Sequence, residues 1–408
     1  MLQRPPSRVP LPKSLTNVSL AALSVIATLG AAEVGLRTLF PPSHSYFVMR
    51  PGRDWTVTAA PDLLPGVTGI GHFRVNRFGV RGREFGDDAE YRILAVGGST
   101  TQCAVLDDTE VWTHVLETAL GRTADGRPVW VGNVGRDGAT SRDLVMHVKY
   151  LLGQYPRIDA VVSLVGVNDM ISALHQGWHY RPPQPVTEPR AEQAQRQRAF
   201  AVVPGRIQDP VGYPTLHLPW YKTTALWQLA RRARAARRLH RTFVLQDRAG
   251  PALQHARDER YHTGAWIDSL PPLEAPLVEY RRNLNAMADI AAAAGARIVF
   301  VTQPSLWRSG LPDREERLLW FGWVGTDRPS ATAFFTTGAL SRAMARYNET
   351  LLIVCRERRL ECVDAAGALP HDTTALYDDV HFNEHGSQLL GSALAGYFSG
   401  RPPFRRPT

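Results

Sequence analysis

The stretch RILAVGGSTTQ, residues 92–102, joins a predicted strand to a predicted helix. Ile93–Val96 is a continuous apolar run, which is typical of a strand buried on both faces of a parallel sheet. Gly97 and Gly98 then allow a sharp turn, and Ser99 lies on that turn. A hydroxyl at such a position points out above the sheet, where a nucleophile can be placed. A helix cap explains the same serine equally well.

The alternation of strand and helix recurs along the chain. Four further strands are predicted at Val129–Val131, Ala160–Val165, Arg297–Thr302 and Leu360–Val363. Five strands alternating with helices predict an α/β protein with a doubly wound parallel sheet sandwiched by helices. Such sheets bind ligands beyond the carboxyl ends of their strands, and Ser99, Gly138 and Asn168 all follow strands at that edge.

The segment LYDDVHFNEHG, residues 376–386, carries a second chemical signal. Asp378 and His381 are three residues apart, in front of a helix predicted to begin near Asn383. A neutral histidine whose other ring nitrogen is held by a carboxylate is a general base that can take the proton of a serine hydroxyl. A surface pair is the commoner explanation of an isolated Asp-x-x-His, so the weight of this one comes from the blocks that precede it.

Four blocks together resemble the SGNH (GDSL-type) hydrolases: Gly-Gly-Ser99, Asn-x-Gly-x-x-Gly138, Gly-x-Asn168-Asp and Asp378-x-x-His381. The resemblance covers residues 91–170 and 278–400. It implies a flavodoxin-like sandwich with Ser99 as nucleophile, His381 as base and Asp378 as its orienting partner. The backbone amides of Ser99 and Gly138 and the side-chain amide of Asn168 would form the oxyanion hole.

The chain departs from the family pattern in its first block, where Gly98 stands at the position of the usual Asp. A glycine is compatible with the same turn, and the missing carboxylate transfers no proton in the family scheme. In the second block, Gly135 is the alternative to Gly138 as the oxyanion donor. The resemblance therefore predicts the class of chemistry, and it leaves Gly135 and Gly138 as alternative donors in the oxyanion hole.

An apolar run near the amino terminus predicts a membrane anchor. Residues 14–32 carry no charge and the apolar pattern continues to residue 36, about the length needed to cross a hydrocarbon core of roughly 30 Å. Three basic residues precede the run and one Arg closes it, which places the bulk of the chain outside the cytoplasm. We expect a cytoplasmic tail at 1–13 and a single-pass anchor of the bacterial inner membrane at 14–36. A cleaved signal peptide and a buried amphipathic helix are the alternatives.

The rest of the chain divides into a lead-in β module at 41–88 and a hydrolase domain at 89–400. Within the lead-in module, Gly71–Phe85 is expected to form a hairpin. The hydrolase domain carries a large insertion at 172–275, rich in Pro, Gln and Arg, with an arginine-rich helix expected over Lys222–Gln246. This insertion suits a lid or a cleft wall for an acidic glycan, a contact with anionic lipid head groups, or a solvated basic face.

Composition limits the function classes. The chain has 408 residues, 44% of them hydrophobic, and a formal net charge of +9. Residues 171–260 hold 15 Lys and Arg against 6 Asp and Glu, a surplus equal to the whole net charge, so no nucleic-acid partner is expected. Cys355 and Cys362 either pair in an oxidising compartment or are small buried hydrophobes.

These features predict a membrane-anchored serine esterase with its catalytic domain on the periplasmic side. Its substrate would be an acyl ester, most plausibly an O-acetyl group on a cell-envelope or exported glycan. An O-acyltransferase would use the same residues, and a catalytically silent glycan-binding assembly protein is the alternative from another class. His114, His371 and His385 show no metal spacing, so neither a metal nor another cofactor is expected.

Overall fold

The structure, a computed structural model, describes residues 13–39, 43–86, 89–185, 189–204, 220–227, 229–230, 243–244, 249–325 and 333–405. The chain divides into two compact units. One contains the amino-terminal helix and the described residues of 220–230. The other contains the remaining strands and helices, and with them every residue proposed for the catalytic site.

Ten strands are described: β1 Asp54–Thr58, β2 Ile70–Arg74, β3 Tyr91–Gly97, β4 Val129–Asn133, β5 Ala160–Leu164, β6 Phe243–Val244, β7 Trp266–Ile267, β8 Arg297–Val301, β9 Phe334–Phe335 and β10 Glu361–Val363. Twelve α-helices are bounded within the same residues: α1 Lys13–Leu39, α2 Ser99–Gln102, α3 Trp112–Leu120, α4 Ser141–Leu152, α5 Val167–Gln176, α6 Pro189–Ala199, α7 Ala249–Tyr261, α8 Glu274–Ala293, α9 Asp313–Glu316, α10 Thr337–Arg358, α11 Ala365–Ala368 and α12 Glu384–Ser399.

The core of the larger unit is a five-stranded sheet in the order β10-β8-β5-β3-β4. Every neighbouring pair in it is parallel. Strand β3 is buried along its whole length, as its apolar run requires of a strand between two neighbours. Numbered along the chain, the strands follow the order 2-1-3-4-5, which is the flavodoxin-like arrangement. The predicted doubly wound fold is therefore confirmed.

Helices flank this sheet. Helix α3 packs against α12, and α4 packs against α8. Gly391 of α12 makes the first contact close, because a Cβ there would lie 2.6 Å from the Cβ of Val115. The loops that end on the carboxyl edge of the sheet are thereby held between packed helices.

The lead-in region forms a small sheet of its own. Strand β2 pairs with β1 in antiparallel fashion, and β6 adds to β1 in parallel. The hairpin expected over Gly71–Phe85 is wrong in its pairing: the turn at residues 76–79 exists, but the only pairing across it is the bridge of Val75 to Arg81. Arg81 also bridges Asn133 of β4, so the lead-in region covers an edge of the central sheet.

Helix α1 is the apolar helix of the smaller unit. Residues 17–39 are long and apolar enough to cross a membrane, a test that a signal sequence near the amino terminus also passes. Its apolar side chains are exposed, Leu20 and Ile26 at 65% each. Within this unit the carboxylate of Glu33 accepts hydrogen bonds from the backbone amides of Ala225 and Leu226, at 2.7 and 3.0 Å.

The insertion is described in part. The helix expected over Lys222–Gln246 falls largely on residues 228, 231–242 and 245–246, which lie outside the described residues, and Phe243–Val244 is strand instead of helix. Further along, Cys355 of α10 and Cys362 of β10 form a disulfide with their Cα atoms 6.3 Å apart. This bond ties the last strand of the sheet to the helix that precedes it.

Candidate active site

Ser99 is the first residue of α2, directly after the turn that ends β3. It is partly exposed, while its neighbours on both sides are buried. The turn needs glycine at position 98, because a Cβ there would lie 2.4 Å from Nδ2 of Asn168. The Asn168 amide occupies the space that a side chain at position 98 would fill, which explains why this chain has glycine where the family usually has Asp.

The loop before α12 brings a histidine to this serine. His381 Nε2 lies 2.8 Å from Ser99 Oγ, and His381 Nδ1 lies 2.8 Å from Asp378 Oδ2. Asp378 is 2% exposed and also accepts a hydrogen bond from the backbone amide of His381, at 3.0 Å. A serine, a histidine and an aspartate are therefore in line, as a nucleophile, its base and an orienting group require.

Trp320 completes the surroundings of the aspartate, and no sequence motif indicates this contact. Its indole Nε1 donates to Asp378 Oδ2 at 3.0 Å, although the two residues are 58 positions apart. The ring of Tyr377 stacks on the imidazole of His381, with centroids 5.6 Å apart. These contacts fix both the carboxylate and the plane of the histidine ring.

Asp378 and His381 each shift the pKa of the other so that the charged form is favoured. Burial alone would raise the pKa of Asp378, but the His381 charge and the hydrogen bonds from His381 and Trp320 hold that pKa below its ordinary value. Burial would lower the pKa of His381, but the charge and hydrogen bond of Asp378 outweigh it and raise that pKa. A raised pKa makes the imidazole a stronger proton acceptor.

Asp379, the next residue, faces another way. Its carboxylate accepts hydrogen bonds from Trp307 Nε1 and from the backbone amide of Trp320, both at 2.8 Å. Burial and the neighbouring Asp378 charge raise the pKa of Asp379 to about 6. Asp379 therefore holds the segment that carries Trp320 and does not contact His381 directly through its carboxylate.

The donors expected for an oxyanion lie at the same edge of the sheet. Gly138 is exposed, has φ +70°, and its amide has no acceptor within the described residues. Gly135 is excluded as the donor, because its amide bonds Asn133 Oδ1 at 2.8 Å. Asn168 Nδ2 uses one N–H on the carbonyl of Ala139, at 2.9 Å, and its amide group carries a second.

Asp169 anchors the first turn of α5, which carries Asn168. Its carboxylate accepts hydrogen bonds from the amide and the hydroxyl of Ser141, the first residue of α4. Asn283 of α8 donates in turn to the Ser141 hydroxyl at 2.9 Å. Loss of water around this carboxyl raises the pKa of Asp169 to about 7. The network joins three helices behind the Asn168 side chain.

Gln303 and Trp307 follow the fourth strand of the sheet, where sequence alone suggests either the cleft or ordinary packing. They are only 1% and 2% exposed. Gln303 accepts a hydrogen bond from Thr100, and Trp307 donates to Asp379. Both therefore support the site from behind.

A cavity of about 560 Å³ adjoins the site and is lined by Gly138 and Asn168. Ser99 and His381 are not among its lining residues. Its remaining lining comes from α4, α5, α6 and α8, the turn after α5, and Tyr347 of α10. Among the described residues, no group of three or more His, Cys, Asp or Glu is arranged to hold a metal ion.

A serine beside a histidine and a buried carboxylate, at the carboxyl edge of a flavodoxin-like sheet, defines a serine hydrolase type of site. The chain belongs to the GDSL-like lipase/acylhydrolase family, whose model matches residues 95–389. It is accordingly a serine hydrolase of the SGNH/GDSL type that acts on ester bonds. No curated protein matches the sequence.

Several solved structures are similar to this chain. An aryl esterase of M. smegmatis has 13% identity and a TM-score of 0.40, covering 76% of this chain and 99% of that one. The acetylxylan esterase Axe2 of Geobacillus stearothermophilus has 14% identity and a TM-score of 0.38, with coverages of 78% and 97%. A member of the lipolytic protein G-D-S-L family from Veillonella parvula has 11% identity and a TM-score of 0.37, with coverages of 76% and 98%.

Proposed function

We propose that this protein hydrolyses acyl esters, O-acetyl esters in particular, on a glycan of the cell envelope or an exported glycan. In this proposal Ser99 is the nucleophile, His381 the general base and Asp378 its orienting partner. The observation that carries it is the unbroken line from Ser99 Oγ to His381 Nε2 and from His381 Nδ1 to Asp378, with 2.8 Å at each step.

The proposed reaction has two halves. Ser99 Oγ attacks the ester carbonyl while His381 Nε2 takes the hydroxyl proton, and the carbonyl oxygen becomes a tetrahedral oxyanion. The intermediate collapses as the imidazolium gives its proton to the departing alcohol, which leaves an acyl group on Ser99. Water, deprotonated by the same imidazole, then attacks this acyl-enzyme and releases the acid and the free serine.

Three donors are proposed for the oxyanion: the backbone amides of Ser99 and Gly138 and Nδ2 of Asn168. Asn168 lies in the first turn of α5, so the partial positive charge at that helix end adds to its dipole. Donors fixed before the reaction stabilise charge that develops only in the transition state, which is commonly the largest catalytic effect. The Asp169 network supports this role because it holds the first turn of α5, and Asn168 with it, in place.

We further propose that α1 anchors the protein in a bacterial inner membrane with the catalytic unit on the periplasmic side. The exposed apolar side chains of α1 support a membrane-spanning role, and the basic residues before it favour a cytoplasmic amino terminus. The disulfide between Cys355 and Cys362 suits an oxidising compartment. The glycan assignment rests on this topology and on the family.

The experiment uses the full chain in detergent micelles with an acetylated polysaccharide and with a small acetyl ester. Ser99→Ala is expected to lower turnover by about three to six orders of magnitude, because it removes the atom that forms the acyl-enzyme. Ser392→Ala, which removes an exposed hydroxyl from α12, serves as the matched control and should retain activity.

Labelling with a fluorophosphonate locates the nucleophile independently. Modification of another serine with Ser99 unmodified would refute the assignment. A second reaction includes an unacetylated acceptor glycan. Acetate release supports hydrolysis, whereas acetyl transfer to the acceptor in place of acetate release would make the protein an O-acyltransferase.

A further inference from the structure

The cavity beside Gly138 and Asn168 has walls that the proposed mechanism, apart from these two residues, leaves unused. Its volume of about 560 Å³ lies within the range of small-molecule binding sites. It begins at two of the proposed oxyanion donors and extends away from Ser99 between α4, α5, α6 and α8. A group bound in it would therefore belong to a substrate whose ester carbonyl is at Ser99.

Two buried polar atoms on the cavity wall have no hydrogen-bond partner within the described residues. They are the hydroxyl of Tyr347, a residue with 0% exposure, and Nε2 of His175. Leaving such a group unpaired destabilises the folded protein. Burial lowers the pKa of His175 to about 4, so its ring is neutral near pH 7. Both atoms lie just beneath the cavity surface, so a ligand that carries hydroxyl groups would supply partners to them after a small movement of the wall.

The carboxylates around the cavity are already engaged. Glu279 accepts from Arg142 at 3.3 Å and from the Tyr180 hydroxyl at 2.6 Å. Asp143 accepts from Gln195 Nε2 at 2.6 Å, and Asp169 holds Ser141. These three carboxylates are thus already paired with neighbouring side chains.

Two arginines on the same wall contrast with these carboxylates. Arg181 and Arg198 are exposed, and neither has a carboxylate partner in the part of the chain that the structure describes. A guanidinium group presents paired N–H donors that match a carboxylate. Together with the two buried polar atoms of the same wall, these arginines favour a ligand that is both hydroxylated and negatively charged.

We propose that this cavity binds the alcohol part of the ester substrate, and that this part is a sugar unit bearing a carboxylate, of the uronic acid type. The sugar hydroxyls bond Tyr347 and His175, and the carboxylate bonds Arg181 and Arg198. The inference rests on the proposed function, since it takes Ser99 as the nucleophile. A long acyl chain would leave the buried polar atoms unpaired, and a neutral sugar would leave both arginines unused.

Binding tests the inference without relying on catalysis. The full chain in detergent is titrated with tri-galacturonic acid and with neutral galactotriose by calorimetry, at low and at high salt. We expect the acidic sugar to bind at least about tenfold more tightly, with an affinity that falls as salt screens the arginines. The Arg181→Gln, Arg198→Gln double variant should lose about five- to fiftyfold in affinity for the acidic sugar, together with the salt dependence.

Arg190→Gln is the matched control, because it removes an exposed arginine of α6 that does not line the cavity. It should keep the full preference for the acidic sugar. Tyr347→Phe removes only the hydroxyl and should weaken both sugars by a similar factor. It should not lower the melting temperature, because the hydroxyl it deletes is unpaired.

Equal affinity for the two sugars, or an equal loss in Arg190→Gln, would overturn the inference. The outcome is separable from that of the esterase proposal. Ser99-dependent hydrolysis of a neutral acetyl ester, without preference for the acidic sugar, would refute the cavity assignment alone. Selective binding of the acidic sugar without any Ser99-dependent hydrolysis would refute the esterase and retain the binding site.

Discussion

A methyl group at position 98 should disable catalysis through Asn168. Gly98 has φ −85° and ψ −152°, which an alanine can adopt, so the backbone does not oppose Gly98→Ala. The new Cβ would lie 2.4 Å from Asn168 Nδ2, whereas ordinary contact begins at 3.4 Å. The amide must therefore move by about 1 Å (3.4 minus 2.4), and a misplacement of that size costs about a hundredfold in turnover.

Asn168→Ala removes the same donor outright and should cost about a hundred- to a thousandfold in kcat, or about 2.7 to 4 kcal/mol. KM should change far less, because the ground-state carbonyl hardly uses this donor. In the Asn168→Ala background the methyl at position 98 has no amide to displace. The double variant should therefore be no slower than Asn168→Ala alone, a coupling energy of about 2.7 kcal/mol.

Steady-state kinetics on a small acetyl ester gives kcat and KM for the wild type, the two single variants and the double variant. Thermal melts on the same preparations measure the fraction of folded protein. The loss of the Asn168 bond to Ala139 should lower stability by about 1 kcal/mol, which is too little to mimic the kinetic effect. Multiplicative losses in the double variant would show that the two residues act separately. Near-normal turnover per folded molecule in Asn168→Ala would remove this residue from the oxyanion hole.

Two further predictions concern the base and the anchor. In the wild type, kcat/KM should rise with pH as His381 loses its proton, with a midpoint above 6.5 because Asp378 raises the His381 pKa. Asp378→Asn removes that charge, so the midpoint should move to lower pH while kcat falls by about a thousandfold or more; an unmoved midpoint would contradict the pairing. A reporter fused after Thr408 should be active in the periplasm, and the protein should stay with membranes in high salt, because screening does not release an apolar span. Release by salt alone would mean a peripheral protein.

The central sheet could be predicted from sequence because its signals are local. Each strand is a short apolar run closed by a glycine or a polar turn, and the predicted limits of Val129–Val131 and Arg297–Thr302 agree with β4 and β8 within two residues. The same locality explains the error over Gly71–Phe85. The turn is visible in the sequence, but the partner of β2 is β1, which precedes it, and no local pattern selects one partner over another.

The proposed site residues could be named from short sequence motifs, whereas the residues that contact and position them could not. Trp320 lies 58 residues from the carboxylate it bonds, and an isolated tryptophan has no pattern that indicates this contact. The cavity wall likewise combines Arg198 of α6 with Tyr347 of α10, elements that meet only in the folded chain. Long-range packing, which the sequence does not display, decides both.

The close packing of α12 on α3 at Gly391 also sets the order in which the proposed site is completed. Ser99 and His381 are 282 residues apart in the chain, and His381 directly precedes α12. At about 5 to 20 residues per second, a ribosome needs roughly 15 to 55 seconds to make that interval. During this time the growing chain holds the serine without its base. A protein made in this order cannot attack esters through this pair until α12 has docked.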